Sequence, residues 1–219
     1  MNQTAYIYLH GFASSPQSNK ACYLRDRFAE LNLDLKVLDL NRGDFSHLTL
    51  TRQLEQTAAV FPPINTSVTL IGSSFGGLTA VWLAEKYPQV QRLVLLAPAF
   101  NFLAHWLPRL GKTQLNLWQK TGYLSVYHYG EDKLLPLHYG FVSDAESYDE
   151  TQLARSLPTL ILHGTDDEVI PIAASRNYAS QHSDASQHSE VKLIELDSDH
   201  SLADMKQEIW QAIEVFCSL

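Results

Sequence analysis

Residues 67–77 read Ser-Val-Thr-Leu-Ile-Gly-Ser-Ser-Phe-Gly-Gly. The first six, Ser67–Gly72, are rich in β-branched side chains and predict a strand. Leu78–Tyr87 is apolar on nearly every side, which predicts a buried helix stopped by Pro88. Between them lies Gly72-Ser73-Ser74-Phe75-Gly76, a G-x-S-x-G turn. So sharp a turn presses the residues two before and two after the serine against their neighbours, and glycine at both places removes the conflict. Ser74 then stands proud of a sheet, with N–H groups of a helix N-terminus behind it. As a bare string the motif is common. The strand before it and the helix after it separate a nucleophile elbow from an ordinary glycine-rich turn.

The same rhythm runs through the chain on both sides. Ala5–His10 reads as a strand, and Ser18–Leu33 carries apolar residues at helical spacing (Ala21, Leu24, Phe28, Leu31). Leu35–Leu40 reads as a strand and Thr49–Phe61 as a helix ended by Pro62-Pro63. Further strands are expected at Gln91–Ala97, Thr159–His163 and Val191–Leu196, and a last helix from about Leu202 to Phe216, with Ser201 and Asp204 as a capping box. Strands alternating with helices predict a mostly parallel sheet covered on both faces, with its chemistry at the carboxyl ends of the strands. Asn101–Pro158 breaks the rhythm. It is long, aromatic-rich and holds no clear strand, so a helical insertion is expected there. His182–Ser189 is polar and reads as a solvated loop.

The residues just after each strand repay attention. His10-Gly11-Phe12 follows the first, where glycine lets the chain turn back so that the N–H of Phe12, with that of Phe75, can form an oxyanion hole. The side chain of His10 is assigned to packing or hydrogen bonding. Serine is a poor nucleophile until a base takes its proton, and a base that titrates near neutrality points to histidine. Of nine histidines, His200 lies on the loop after the sixth strand, where it can reach Ser74. An orienting acid should fall between the two in sequence, and Asp166-Asp167-Glu168 after the fifth strand offers three. His163 is assigned to packing.

Composition narrows the field. Lys plus Arg is 16 against 24 Asp plus Glu, and no basic run occurs, which argues against a nucleic-acid or anionic-membrane partner. Cys22 and Cys217 belong to no close-spaced pair and read as free thiols. No basic leader precedes the short apolar run Ala5–Leu9, and no stretch is long enough to span a membrane, so a cytoplasmic location is expected. No H-E-x-x-H, cysteine cluster, P-loop or G-x-G-x-x-G occurs, so neither metal nor cofactor is expected. The partner expected is a small-molecule substrate. The oligomeric state is left open.

With these residues in place, the chain resembles the α/β-hydrolase superfamily, and more narrowly the small bacterial YqiA/YcfP-type proteins provisionally classed as esterases. The resemblance rests on YIYLHGFASSPQSNKA (6–21), GSSFGG (72–77), HGTDDEVIP (163–171) and His200 before the final helix. It implies an α/β-hydrolase fold of about six mostly parallel strands, with residues 1–219 as one domain and 101–158 as a small helical lid. It also implies Ser74, Asp167 and His200 as a catalytic triad, the amides of Phe12 and Phe75 as the oxyanion hole, and acyl-transfer hydrolysis; the small chain and its aromatic insertion point to esters or thioesters of small to medium acyl groups. The alternatives are C–C bond or thioester hydrolysis on the same triad, or a binding module that keeps the fold without turnover.

Overall fold

In the computed structural model, which describes residues 4–182 and 190–219, six strands form one sheet. The chain runs β1 (Thr4–Leu9), α1 (Asn19–Glu30), β2 (Leu35–Leu38), α2 (Leu50–Ala58), β3 (Ser67–Ser73), α3 (Phe75–Lys86) and β4 (Val90–Leu96). Next come α4 (Phe102–Thr121), β5 (Tyr123–His128), β6 (Lys133–His138) and α5 (Gly140–Ala145). It ends with β7 (Thr159–Gly164), α6 (Ile172–His182), β8 (Val191–Leu196) and α7 (Lys206–Cys217). The sheet order is β2-β1-β3-β4-β7-β8, with every neighbouring pair parallel.

Strand side chains alternate between faces, and the core divides accordingly. Ile7, Leu9, Leu70, Leu93, Leu95 and Ile161 face α2, α3 and α6, joined there by Trp118, Leu137 and Phe141 from the segment between β4 and β7. Tyr6, Tyr8, Ile71, Val94, Leu96, Leu160 and Leu162 face α1 and α7. α3 is buried from Phe75 to Ala84 without a break, which is why it lacks an amphipathic pattern.

Three features depart from the sequence reading. The segment expected to be wholly helical contains β5 and β6, paired as an antiparallel hairpin. Pro136 sits within β6 opposite Ser125, tolerable in a two-stranded sheet because both strands are edges. That proline, on a short apolar run, masked the strand. Secondly, α7 begins at Lys206 with Met205 as its cap, and no capping box forms. Asp204 instead accepts from Ser198 Oγ at 2.8 Å, and Leu202 takes a left-handed turn (φ 48°). Thirdly, His182 closes α6, stacked on Tyr178, rather than opening a loop; positions 183–189 of that expected loop lie outside the described residues.

Candidate active site

The chain leaves β1 toward β2 on one side and leaves β3 toward β4 on the other, so the carboxyl ends of β1 and β3 flank a topological switch point. Ser74 stands there, between β3 and α3, with φ 53° and ψ −119°. Its backbone is held on both sides: its N–H donates to Leu96 O at 2.8 Å, and its carbonyl accepts from Gly77 and Ala99 N–H at 2.8 and 3.0 Å. Gly76 is required by the approach of β1: a Cβ there would stand 2.2 Å from the Leu9 carbonyl oxygen.

His200 and Asp167 reach Ser74 from the ends of β8 and β7. His200 Nε2 lies 2.9 Å from Ser74 Oγ, and His200 Nδ1 lies 2.6 Å from Asp167 Oδ2. A carboxylate only accepts, so the proton shared with it belongs to Nδ1, which leaves Nε2 free to accept from the serine hydroxyl. The Asp167 side chain is 0% exposed and that of His200 20%. Asp167 Oδ1 accepts from the N–H groups of Val169 and Ile170, both at 2.8 Å. Burial alone pushes this carboxyl up, but hydrogen bonds from His163, His200 and the Ile170 N–H, with the imidazole charge, outweigh it and hold it well below the usual carboxylate range. The loops meet closely: a Cβ on Gly164 would lie 2.2 Å from the Ser198 carbonyl oxygen. Half-buried Lys20 of α1 donates to Ser201 O at 2.6 Å, tying the residue after His200 to a second element. Burial lowers the Lys20 ammonium to about 8 against the opposing pull of Asp199 and Asp167.

The Gly11–Phe12 peptide is pinned by the buried ring of His10. Leu40 N–H donates to His10 Nε2 at 3.1 Å, so the ring proton sits on Nδ1, which donates to Gly11 O at 2.9 Å. Burial holds His10 below the usual imidazole range, consistent with a neutral ring. A peptide's C=O and N–H point in opposite directions, so fixing the Gly11 carbonyl fixes the Phe12 N–H. Among the described residues, neither the Phe12 nor the Phe75 N–H donates to a protein acceptor. The ring of Phe12 packs on Phe45, Phe75, Phe102, Trp106 and Phe141, with centroids 5.1–6.3 Å apart. Tyr129 N–H donates to Ala13 O at 2.8 Å, so the hairpin also docks on this loop. A cavity of about 220 Å³ runs behind Phe75, bordered by Leu50, Leu78, Trp82, Phe102 and Glu150; it reaches none of Ser74, Asp167 and His200.

Ser74, Asp167 and His200 are thus brought together, while Asp166 and Glu168 are exposed. Two side chains touching this assembly escaped the sequence reading. His163 is not a packing residue alone: it stands 2.9 Å from Asp167 Oδ2, and its place four residues before that acid was the available signal. Lys20 was signalled by a cation in the first turn of a helix, where the macrodipole disfavours it. Among the described residues, no group of three or more His, Cys, Asp or Glu is placed to hold a metal, and no helix is long and apolar enough to cross a membrane.

A model of an uncharacterised protein family, UPF0227, matches residues 5–217. Solved structures with a similar fold include a protein from Agrobacterium vitis S4 provisionally assigned as a hydrolase, 24% identical over 98% of this chain and 88% of its own, with a TM-score of 0.81. Est1E from Butyrivibrio proteoclasticus, solved with ferulic acid bound, is 20% identical over 99% and 90%, with a TM-score of 0.75. The monoacylglycerol lipase of Paleococcus ferrophilus is 16% identical over 100% and 97%, with a TM-score of 0.72. At these identities the likeness establishes the fold, and the site must speak for the chemistry.

Proposed function

Because the chain belongs to the uncharacterised protein family UPF0227 and has the α/β-hydrolase fold, we propose that it is a serine hydrolase acting on carboxylic esters or thioesters of small to medium acyl groups. The observation that carries this reading is the hydrogen-bonded line from Ser74 Oγ through His200 to Asp167 Oδ2, at 2.9 and 2.6 Å. His200 Nε2 takes the Ser74 proton as Oγ bonds to the substrate carbonyl carbon. The carbonyl oxygen becomes an oxyanion, received by the N–H groups of Phe12 and Phe75. Collapse expels the alcohol or thiol, which leaves with the proton from Nε2. Water then repeats the sequence, releasing the carboxylic acid and restoring Ser74. Asp167 holds the imidazole in its Nδ1–H tautomer and stabilises the imidazolium. Residues 101–158 act as a lid within a single domain; support comes from the packing of Phe102, Trp106 and Phe141 on Phe12.

A fluorophosphonate probe tests the reading directly. The wild-type protein should label at Ser74 and hydrolyse members of a panel of esters and thioesters. Ser74→Ala should neither label nor retain more than about a thousandth of the activity. A folded wild-type protein that never labels, or a Ser74→Ala variant that keeps its turnover, would sink it.

A further inference from the structure

His163 occupies the end of β7, wholly buried, with polar groups around its ring. Nδ1 lies 2.7 Å from Ser175 Oγ on α6. Nε2 lies 2.9 Å from the Ile170 carbonyl oxygen and 2.9 Å from Asp167 Oδ2. Both neighbours of Nε2 only accept, so Nε2 carries a proton, and the Ser175 hydroxyl can donate to Nδ1. Asp167 Oδ2 therefore accepts from His200 Nδ1–H at 2.6 Å and also lies 2.9 Å from His163 Nε2, whose N–H bonds to the Ile170 carbonyl, while Oδ1 is taken by two backbone N–H groups. Ser175 and the Ile170 carbonyl already satisfy both ring nitrogens, so the 2.9 Å approach of Asp167 Oδ2 is a contact beyond what burying the ring requires.

We propose that His163 is a positioning residue for the hydrolytic reaction: its Nε2–H, anchored on the Ile170 carbonyl and 2.9 Å from Asp167 Oδ2, keeps the carboxylate in place and shares its charge, and so sets how strongly that carboxylate holds His200. The proposal rests on the reading of Ser74, His200 and Asp167 as a triad. The physical consequence has a definite sign. Without the His163 donor, the charge on Oδ2 is met by His200 alone, so protonated His200 is better stabilised and the base is lost at a higher pH. The other charged groups facing this pair are Lys20 from α1, His105 from α4, Asp199 beside His200, and Glu195 of β8 behind His163, all unchanged by substitution at 163.

His163→Leu removes the donor, whereas His163→Gln can keep an amide N–H near the place of Nε2. For His163→Leu, kcat should fall roughly ten- to a hundredfold with KM nearly unchanged, less than the loss of the acid itself. The acid limb of its kcat/KM profile should move up by about half a pH unit or more. His163→Gln should recover most of kcat and return the limb toward wild type. An unmoved limb and wild-type kcat in His163→Leu would overturn the proposal, as would a His163→Gln variant as impaired as His163→Leu. Should His163→Leu not fold, the Gln variant decides together with nitrogen-15 imidazole spectra of the wild-type protein. A His163 ring protonated only at Nδ1 overturns the proposal, whatever the turnover. A wild-type protein that fails to label with the fluorophosphonate overturns both this and the triad reading; one that labels, with His163→Leu indistinguishable from it, overturns this alone.

Discussion

Ser74 holds a backbone conformation with φ 53°, which costs a non-glycine residue about 1–3 kcal/mol. The bonds to Leu96, Gly77 and Ala99 offset that strain and keep Oγ beside His200. Asp167 is fixed differently, by three hydrogen-bond donors and the close-set ring of His163, while Asp166 and Glu168 on either side meet solvent. Asp167→Asn should therefore lower kcat by about four orders of magnitude. Asp166→Asn and Glu168→Gln should each cost less than about tenfold, as solvated charges do. Kinetics of the three variants on one activated ester check this, and a crippled Asp166→Asn beside a near-normal Asp167→Asn would reverse the assignment. There is a stability consequence as well. Folding holds the Asp167 carboxyl below its usual range, so it contributes stability above that range and loses it as the pH falls. Asp167→Asn should melt lower than wild type at pH 7, with the gap narrowing progressively as the pH falls below the usual carboxylate range. Ser74 and His200 were legible in the sequence because their residue types and their places after strands are distinctive. The choice among three adjacent acids was not legible from chemistry alone. It is made by where the turn gathers the N–H groups of Val169 and Ile170, a three-dimensional fact that only the resemblance anticipated. The contact between His163 and Asp167 was not legible for a related reason: a buried histidine at a strand end looks the same in sequence whether or not a carboxylate lies against it.

Glu150 links the two ends of the segment between β4 and β7: its Oε1 accepts from the N–H of Asn101, just before α4, at 2.7 Å. Burial raises its carboxyl to about 7, against the lowering effect of that N–H and with a further push from Asp149. The sign is opposite to that of Asp167. A folded value above the unfolded one means the stability is fully present below the unfolded carboxylate range and is lost as the pH rises through about 7. Glu150→Gln keeps an oxygen for Asn101 and carries no charge. It should raise Tm at pH 8 by about 2–6 °C and change it little at pH 5, where the glutamate is itself protonated. Melting curves of both proteins at the two pH values decide it; an equal shift at both would remove ionisation from the account. At this level the sequence was readable where hydrophobic periodicity was sustained, as in α1, α2 and the six sheet strands. It failed where a local feature was outvoted by tertiary contacts. Pro136 disguised β6, and the expected capping pair was otherwise engaged, Asp204 with Ser198 Oγ and Ser201 Oγ with Asp199 at 2.6 Å, so α7 starts later than its apolar stripe.

The three residues of the candidate triad lie far apart in the chain and meet because a parallel sheet delivers every strand's carboxyl end to one edge. That convergence was legible from the alternation of strands and helices. What covers it was only half legible, since aromatic content signalled an insertion but not its docking. Phe12, whose N–H is proposed to receive the oxyanion, is enclosed on its ring side by Phe102 and Trp106 of α4 and by Phe141 of α5. Phe102 and Phe141 are buried, and their truncation would collapse or destabilise the core. Trp106 is half-buried, 5.1 Å from Phe12 and 5.7 Å from Trp118, so its indole closes the cluster from the solvent side. Removing it opens space beside Phe12 without emptying the core. Trp106→Ala should therefore shift the acyl preference upward, with kcat/KM for octanoate relative to acetate esters rising about tenfold, the scale of a pocket gaining room for a few methylenes. Some stability is lost too, short of the 3–5 kcal/mol of a fully buried tryptophan. Kinetics over a series of straight-chain esters separate the two effects. A ratio that rises with chain length means the segment shapes the substrate pocket. A uniform fall along the series would mean that Trp106 only supports the fold, and would count against any part for residues 101–158 in choosing the substrate.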